Sequence, residues 1–158
     1  MASDDACPEG QVVIGYAGKV SGALIGQMQA LCGALSVTGT GPYAVSVGTG
    51  ATLPIRGKSG NSTFSLTCPA DQVVIGFGGH AGTILDAISL RCAPLLIQGP
   101  PYAIAIGAST DTALVGSAGP AFPQTNCIAG QVANVSRFRS SQNVDAFGLR
   151  CATPKLLF

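Results

Sequence analysis

The amino-acid sequence predicts an all-β protein in which three sheets pack around a pseudo-threefold axis. A module bounded by two cysteines recurs three times along the 158 residues, and 22 glycines and 10 prolines punctuate the chain. The apolar runs inside the modules are short and dominated by Val and Ile, which favours strands joined by tight turns. No capped apolar pattern of helical period extends over about ten residues. Small repeated sheets that cannot bury their own apolar faces must pack on one another.

The cysteines have nearly constant spacing. The first module begins Cys-Pro-Glu-Gly-Gln-Val-Val-Ile-Gly, the second Cys-Pro-Ala-Asp-Gln-Val-Val-Ile-Gly and the third Cys-Ile-Ala-Gly-Gln-Val. All six cysteines belong to this pattern, which indicates three disulfides and an oxidising compartment. Buried free thiols are the alternative. Zinc is disfavoured because the sequence has no Cys-x-x-Cys and a single histidine, so we expect no metal.

Each module predicts a hairpin. In the second module the apolar runs 73–77 and 84–90 flank the glycine-rich segment 78–82, where we expect the loop. Folding back there brings the two cysteines of a module together, and a bridge closing such a loop contributes roughly 3 kcal/mol. The predicted disulfides are Cys7–Cys32, Cys68–Cys92 and Cys127–Cys151.

The segments between the modules repeat as well. Residues 41–48, Gly-Pro-Tyr-Ala-Val-Ser-Val-Gly, match residues 100–107, Pro-Pro-Tyr-Ala-Ile-Ala-Ile-Gly. We therefore expect a single domain, 1–158, with two complete units, 41–92 and 99–151, and a partial unit, 7–32. The partial unit should leave one sheet with an exposed edge, covered by residues 33–40 or 152–158 or by a neighbouring subunit in a homo-oligomer.

Composition excludes several classes of protein. Only 9% of the residues are charged and the net charge is +1, so the sequence offers no electrostatic basis for binding nucleic acid or an anionic membrane. The apolar runs are too short to span a bilayer, and we expect no membrane insertion. Paired cysteines and two Asn-x-Ser/Thr sequons, at Asn61 and Asn134, are typical of a secreted, extracellular protein.

The segment 71–90, Asp-Gln-Val-Val-Ile-Gly-Phe-Gly-Gly-His-Ala-Gly-Thr-Ile-Leu-Asp-Ala-Ile-Ser-Leu, resembles the signature hairpin of jacalin-like lectins. That pattern is an apolar strand, Gly-Phe, a small glycine loop, Gly-x-x-x-Asp and a final strand. Upstream, Gly57-x-x-Gly60-x-x-x-Phe64 resembles the glycine loop of the same family. The paired cysteines and the triple repeat are more similar to proteins of the vitelline membrane outer layer type. Both resemblances imply a β-prism of three four-stranded Greek-key sheets.

In jacalin-like lectins this loop holds a sugar. Carried over, the resemblance implies that Asp86 accepts hydrogen bonds from sugar hydroxyls and that Thr83 and Ile84 contribute backbone amides. Gly82 begins the matching Gly-x-x-x-Asp loop, and Gly60 would permit close approach of the sugar from the neighbouring loop. A carboxylate forms strong hydrogen bonds with hydroxyl donors, which suits neutral glycans.

The other copies depart from the pattern. The third, 141–145, keeps an aspartate but has serine in place of the glycine. It suggests a less complete site formed by Gln142, Asn143 and Asp145 beside Gly119. The first copy, 22–26, has no carboxylate, and we expect no site there.

Structural roles are the alternative for these residues. Asp86 and Asp145 could accept turn amides or pair with Arg91 and Arg150, which follow each of them by five positions. We interpret His80 as an exposed loop residue.

Two further features have structural interpretations. We place Arg137 and Arg139 on a solvated strand face around Phe138, with a small anion site as the alternative. Tyr43 and Tyr102 are interpreted as core or rim residues rather than sugar-stacking platforms.

Catalysis is poorly supported. Asp86 and Asp145 occupy equivalent positions of different repeats, whereas the carboxylates of a glycosidase pair lie about 5–10 Å apart. The sequence has no nucleophile-elbow Gly-x-Ser-x-Gly and no strand–glycine motif–helix arrangement for a nucleotide. We therefore predict a secreted carbohydrate-binding module that is not an enzyme and needs no cofactor. The alternative is a disulfide-stabilised structural or coat protein without a small-molecule site.

Overall fold

The computed structural model describes residues 1–117 and 119–156, and within them the chain forms strands and no helix. No helix that could cross a membrane occurs in this part of the chain. The strands are β1 (Ala2–Ala6), β2 (Gln11–Ser21), β3 (Leu24–Thr38), β4 (Ala44–Thr52), β5 (Ser62–Thr67), β6 (Gln72–Ala81), β7 (Leu85–Gln98), β8 (Ala103–Ile106), β9 (Thr110–Asp111), β10 (Val115–Gly116), β11 (Ala121–Asn126), β12 (Val132–Ser140) and β13 (Val144–Ala152).

Three antiparallel sheets are each built on the hairpin of one cysteine module. The first has the order β4-β3-β2-β5, and the third has the order β1-β12-β13. The second has the order β10-β7-β6-β11, with β8 and β9 also pairing with β7. In the first two sheets, the strand that follows the hairpin and loop returns to lie beside the first hairpin strand, which is a Greek key. The predicted all-β prism is confirmed, but the third sheet has three strands where a four-stranded Greek key was expected.

The repeat units divide between sheets in a way that corrects the expected grouping. Strand β5, which precedes the second module, pairs with β2 of the first hairpin. Strand β11 pairs with β6, and β1 pairs with β12. The sequence units 41–92 and 99–151 therefore each contribute their front strands to one sheet and their hairpin to the next. The expected grouping differed because a sequence repeat does not reveal which neighbouring hairpin a strand joins.

The open sheet edge consequently lies elsewhere than expected. The hairpin within 7–32 is flanked by both β4 and β5, so the first sheet is complete. The third sheet is the short one: among residues 1–117 and 119–156, no strand pairs with β13 on its outer side. Residues 33–38 belong to β3 and pair with β4, so they are not available to cover an edge.

The three predicted disulfides are confirmed, with Cα–Cα distances of 5.8, 5.6 and 5.8 Å that lie in the usual range for disulfides. The loop of the second hairpin is shorter than expected, because β6 continues to Ala81 and the turn occupies 82–84. Gly79 lies within the strand, where a Cβ would stand 2.0 Å from the Ala87 carbonyl oxygen. This glycine serves close strand packing rather than the turn.

Side chains from all three sheets fill the centre of the prism, including Tyr16, Phe77 and Phe138. A second apolar cluster lies where β3 and β7 extend beyond their hairpins. There Tyr43 and Tyr102 pack edge to face with centroids 5.4 Å apart, and they border a cavity of about 470 Å³ with Val37 and Ile97. Exposures of 38% and 65% place the two tyrosines on its rim, one of the two positions expected for them.

Tyr16 joins two sheets at the core. Its side chain is fully buried, and its hydroxyl lies 2.6 Å from the hydroxyl of Ser136 on β12. Burial raises the pKa of Tyr16 far above its ordinary value, with the Ser136 hydrogen bond opposing the shift and the Asp5 charge adding to it. The phenol therefore stays protonated in the folded chain under conditions that ionise an exposed tyrosine.

We predict that this tyrosine makes the fold sensitive to alkali. Above about pH 10 the unfolded chain loses the phenolic proton while the folded chain retains it, so the free energy of unfolding falls as pH rises. At pH 7, Tyr16→Phe should cost about 1–2 kcal/mol because it leaves Ser136 without its partner. Urea unfolding should be measured between pH 7 and 11 for the unmodified protein and for Tyr16→Phe. The difference between their free energies of unfolding should narrow above about pH 10. A constant difference would contradict the assignment.

Candidate functional site

Loops and hairpin turns meet at one end of the prism. The amide of Ser117, in the loop before β11, donates to the Ala23 carbonyl in the first hairpin turn over 3.2 Å. The amides of Lys58 and Ser59, in the loop before β5, donate to the Gln142 carbonyl in the third turn over 2.7 and 2.9 Å. These hydrogen bonds tie the first and third turns to loops of a neighbouring sheet.

The carboxyl group of Asp86 is held between two glycine segments. Asp86 is the second residue of β7 and is 8% exposed. A Cβ on Gly119 would lie 1.9 Å from Asp86 Oδ2, and one on Gly82 would lie 3.7 Å from it. Gly119 has a φ of +83°, a left-handed conformation that glycine adopts without steric cost. The absence of a side chain at Gly119 therefore lets its loop lie directly against the carboxylate.

Two further contacts fix this loop. Gly116, with a φ of +88°, crosses the strand so closely that a Cβ would stand 2.1 Å from the Asp86 carbonyl oxygen. His80 Nδ1 lies 3.0 Å from the Gly119 carbonyl oxygen. Because a carbonyl oxygen can only accept, Nδ1 carries the proton and donates. His80 is thus a strand residue that anchors the glycine loop, and not the loop residue that the sequence suggested.

The turn between β6 and β7 presents backbone donors. Its closing hydrogen bond runs from the Gly82 amide to the Ile84 carbonyl over 3.1 Å. Gly82 and Thr83 are exposed and Ile84 is half-buried. Within residues 1–117 and 119–156, the amides of Thr83 and Ile84 donate to no acceptor. Two amides without an acceptor therefore lie in the turn that immediately precedes Asp86.

Gly60 does not lie in this group. It has a φ of +136°, and a Cβ there would stand 2.4 Å from the Lys19 Cβ. The next residue, Asn61, donates its amide to the Val20 carbonyl over 3.0 Å. Gly60 therefore packs against the first hairpin. Gly119 occupies the position beside Asp86 that was expected for Gly60. Gly60 and Gly119 lie in the loops before β5 and β11, and each of these strands pairs with the hairpin that precedes it in the chain. The loop before β11, with Gly119, therefore lies beside the second hairpin and Asp86.

The polar side chains in the turn of the third hairpin form hydrogen bonds with other residues of the chain. The Ser141 hydroxyl donates to Asp145 Oδ2 over 3.1 Å, and the Ser59 hydroxyl donates to Asn143 Oδ1. Gln142 uses its carbonyl to accept the two amides of the neighbouring loop. Gly119, expected beside this turn, lies against Asp86 instead. Asp145 thus has a partner within its own turn, the Ser141 hydroxyl, and neither the turn amides nor the arginine that were the expected structural partners.

The first hairpin is closed for a different reason. Its Gly26 lies under the loop before β5, where a Cβ would stand 2.3 Å from the Ser59 carbonyl oxygen. Asp86 does not pair with Arg91, and Asp145 does not pair with Arg150. Arg91 binds Asp111 over 3.0 Å, and Arg150 binds Asp4 over 3.4 Å. The hydrogen bond from Arg91 lowers the pKa of Asp111.

Three antiparallel sheets around one core, two of them Greek keys, form a β-prism in which a glycine loop lies against the Gly-x-x-x-Asp turn of the second hairpin. The crystal structure of Calystegia sepium agglutinin, a jacalin-like lectin, is similar to this chain with a TM-score of 0.53. The match covers 96% of this chain and 88% of that one at 17% identity, and shows a shared fold. No family model and no curated protein matches the sequence.

Within the described residues, no group of three or more His, Cys, Asp or Glu side chains could hold a metal ion. The three disulfides and the fold are consistent with an extracellular protein.

Proposed function

We propose that the protein is a secreted carbohydrate-binding module with one site for neutral sugars, formed by the turn 82–84, Asp86 and the loop at Gly119. The observation that carries this proposal is the Asp86 carboxylate held against Gly119, directly after a turn whose two backbone amides are free of acceptors in the described chain. A sugar presents adjacent hydroxyls that both donate and accept. The carboxylate accepts from two of them, and the amides of Thr83 and Ile84 donate to their neighbours.

The preformed glycine loop supports the same conclusion. Gly116 and Gly119 remove side chains from the wall that faces Asp86, and His80 holds that wall in place. A site that is already ordered loses little conformational entropy when it binds. A polar, uncharged ligand in a shallow site of this kind binds weakly, with a dissociation constant on the order of 0.1–1 mM. Strong attachment to a glycan-coated surface then requires several copies.

A single site is expected rather than two. Asp145 accepts from Ser141, and the neighbouring Gln142 and Asn143 are engaged by the loop before β5. A sugar at this turn would have to compete with those hydrogen bonds.

The experiment is a glycan array followed by calorimetry with the sugar that binds best. We expect Asp86→Ala to weaken binding at least tenfold, because it removes the acceptor of two hydroxyl hydrogen bonds. Asp145→Ala is the matched control and should bind as the unmodified protein does. Full binding by Asp86→Ala, with the fold intact by circular dichroism, would rule out the site.

A structural or coat protein is the second candidate. It is favoured by the burial of Asp86, which packs against Gly119 as a loop anchor. If this is the role, no glycan binds on the array, and Asp86→Ala lowers the melting temperature and makes the loop 112–120 sensitive to protease. If the protein is a carbohydrate-binding module instead, the unmodified chain binds a glycan on the array, and Asp86→Ala lowers the melting temperature by a smaller amount.

A further inference from the structure

The outer face of the third sheet carries a concentration of arginines. Ser136 and Phe138 of β12 are buried, so the alternate residues Arg137 and Arg139 point to solvent. Arg150 stands on the neighbouring strand β13 and is also exposed. Three of the eight basic residues of the chain therefore share one face of a three-stranded sheet.

One carboxylate lies among these arginines. Asp4 of β1 accepts from Arg137 Nε over 3.1 Å and from Arg150 Nη2 over 3.4 Å. Within residues 1–117 and 119–156, Arg139 makes no side-chain hydrogen bond or ion pair, so its charge is not offset. The side chains of Arg137 and Arg150 remain 56% and 58% exposed. The face therefore carries an excess of two positive charges, while the whole chain carries +1.

Arg137 and Arg139, with Asp4, border a shallow trough of about 310 Å³. Residues opposite Arg137 and Arg139 are small on β13, where they are Gly148 and Ala146. A Cβ at Gly148 would meet nothing within 4 Å, and its φ lies outside the left-handed region. Neither packing nor backbone conformation requires glycine there. The absence of a side chain at Gly148 leaves the trough unfilled at this position.

The trough ends at the open edge of the sheet. No strand of the described chain pairs with the outer side of β13, so alternate amides and carbonyls of that strand point to solvent. These groups can donate to and accept from the hydroxyls of a ligand that lies along the edge. The combination is a row of cations beside a row of neutral hydrogen-bonding groups.

We propose that this face binds an acidic polysaccharide, a chain of sugars with sulfate or carboxylate substituents. Arg137 and Arg139 alternate along one strand, which places their Cα atoms about 7 Å apart. Their guanidinium groups form paired hydrogen bonds with planar or tetrahedral oxyanions, while the strand edge engages the hydroxyls. This site lies on a sheet face and does not depend on the sugar site at Asp86.

Single-stranded nucleic acid fits the same face less well. Binding of that ligand uses exposed aromatic rings on which bases stack. Phe138 is buried, and Phe147 packs edge to face on Tyr16 with centroids 5.2 Å apart. The trough therefore offers cations and backbone groups and no fully exposed ring.

The experiment measures the binding of heparin, polygalacturonate and neutral dextran to the whole chain over a range of salt concentrations. We expect heparin or polygalacturonate to bind, with affinity falling as salt rises, and dextran not to bind through this face. Arg137→Gln with Arg139→Gln should reduce the affinity at least tenfold. Lys58→Gln with Lys155→Gln removes the same charge at exposed positions elsewhere and is the matched control.

Gly148→Val tests the trough without changing any charge. Valine suits a strand and has space there, so thermal unfolding should be unchanged while polysaccharide affinity falls about fivefold or more. Asp86→Ala should leave the affinity for the acidic polysaccharide unaltered. The proposal is overturned if neither acidic polysaccharide binds, or if the control pair weakens binding as much as the arginine pair. It is also overturned if Gly148→Val binds fully, or if single-stranded DNA competes as well as the polysaccharide.

Discussion

Replacing Gly119 with alanine is expected to abolish sugar binding at Asp86. The residue has a φ of +83°, and a Cβ would stand 1.9 Å from Asp86 Oδ2. Both the backbone and the carboxylate must then move, and a non-glycine residue in such a conformation costs about 1–3 kcal/mol. We expect the affinity for the sugar to fall more than tenfold in calorimetry, at a temperature where the variant remains folded.

Gly60→Ala is the matched control for this prediction. Gly60 occupies the corresponding loop of the first sheet, has a φ of +136° and is similarly crowded, by Lys19. Its substitution should destabilise the chain to a similar extent and leave sugar binding unchanged. If Gly60→Ala removes binding and Gly119→Ala does not, the loop that borders Asp86 has been assigned incorrectly.

Removing the disulfide of the second module is expected to produce a large loss of stability. The bridge joins residues 24 apart, and constraining the unfolded chain in this way contributes about 3 kcal/mol. Cys92 is fully buried, so replacing both cysteines with alanine also loses packing. We expect the pair Cys68→Ala and Cys92→Ala to lower the melting temperature by roughly 6–15 °C, measured by calorimetry.

The third disulfide provides a comparison at the same spacing. Cys127 and Cys151 are also 24 residues apart, and both are half-buried. Replacing them with alanine should remove the same constraint on the unfolded chain and less packing, so the loss should be smaller. Equal losses for the two pairs would mean that burial of Cys92 contributes nothing beyond the constraint.

The hairpins and disulfides were predictable because they depend on residues close in sequence. Cysteines 24 or 25 residues apart, with two apolar runs between them, leave few ways to fold other than a clipped hairpin. The Asp86 turn was identified through the resemblance to the jacalin-like pattern, whose glycine and aspartate lie four positions apart on one hairpin. The turn itself is shorter than the glycines suggested, because Gly79 is used for strand packing.

The sequence by itself therefore determined the all-β class, the threefold repeat, the three disulfides and the presence of an aspartate turn in the second copy. Only the tertiary structure decided that Gly119 rather than Gly60 borders Asp86, that Ser141 and Ser59 occupy the third turn, and that the open edge belongs to the third sheet. These features depend on which hairpin each front strand joins. Equivalent strands of a repeat have similar apolar faces, so local pattern cannot distinguish the partners, and the choice is made when the three sheets pack on one core.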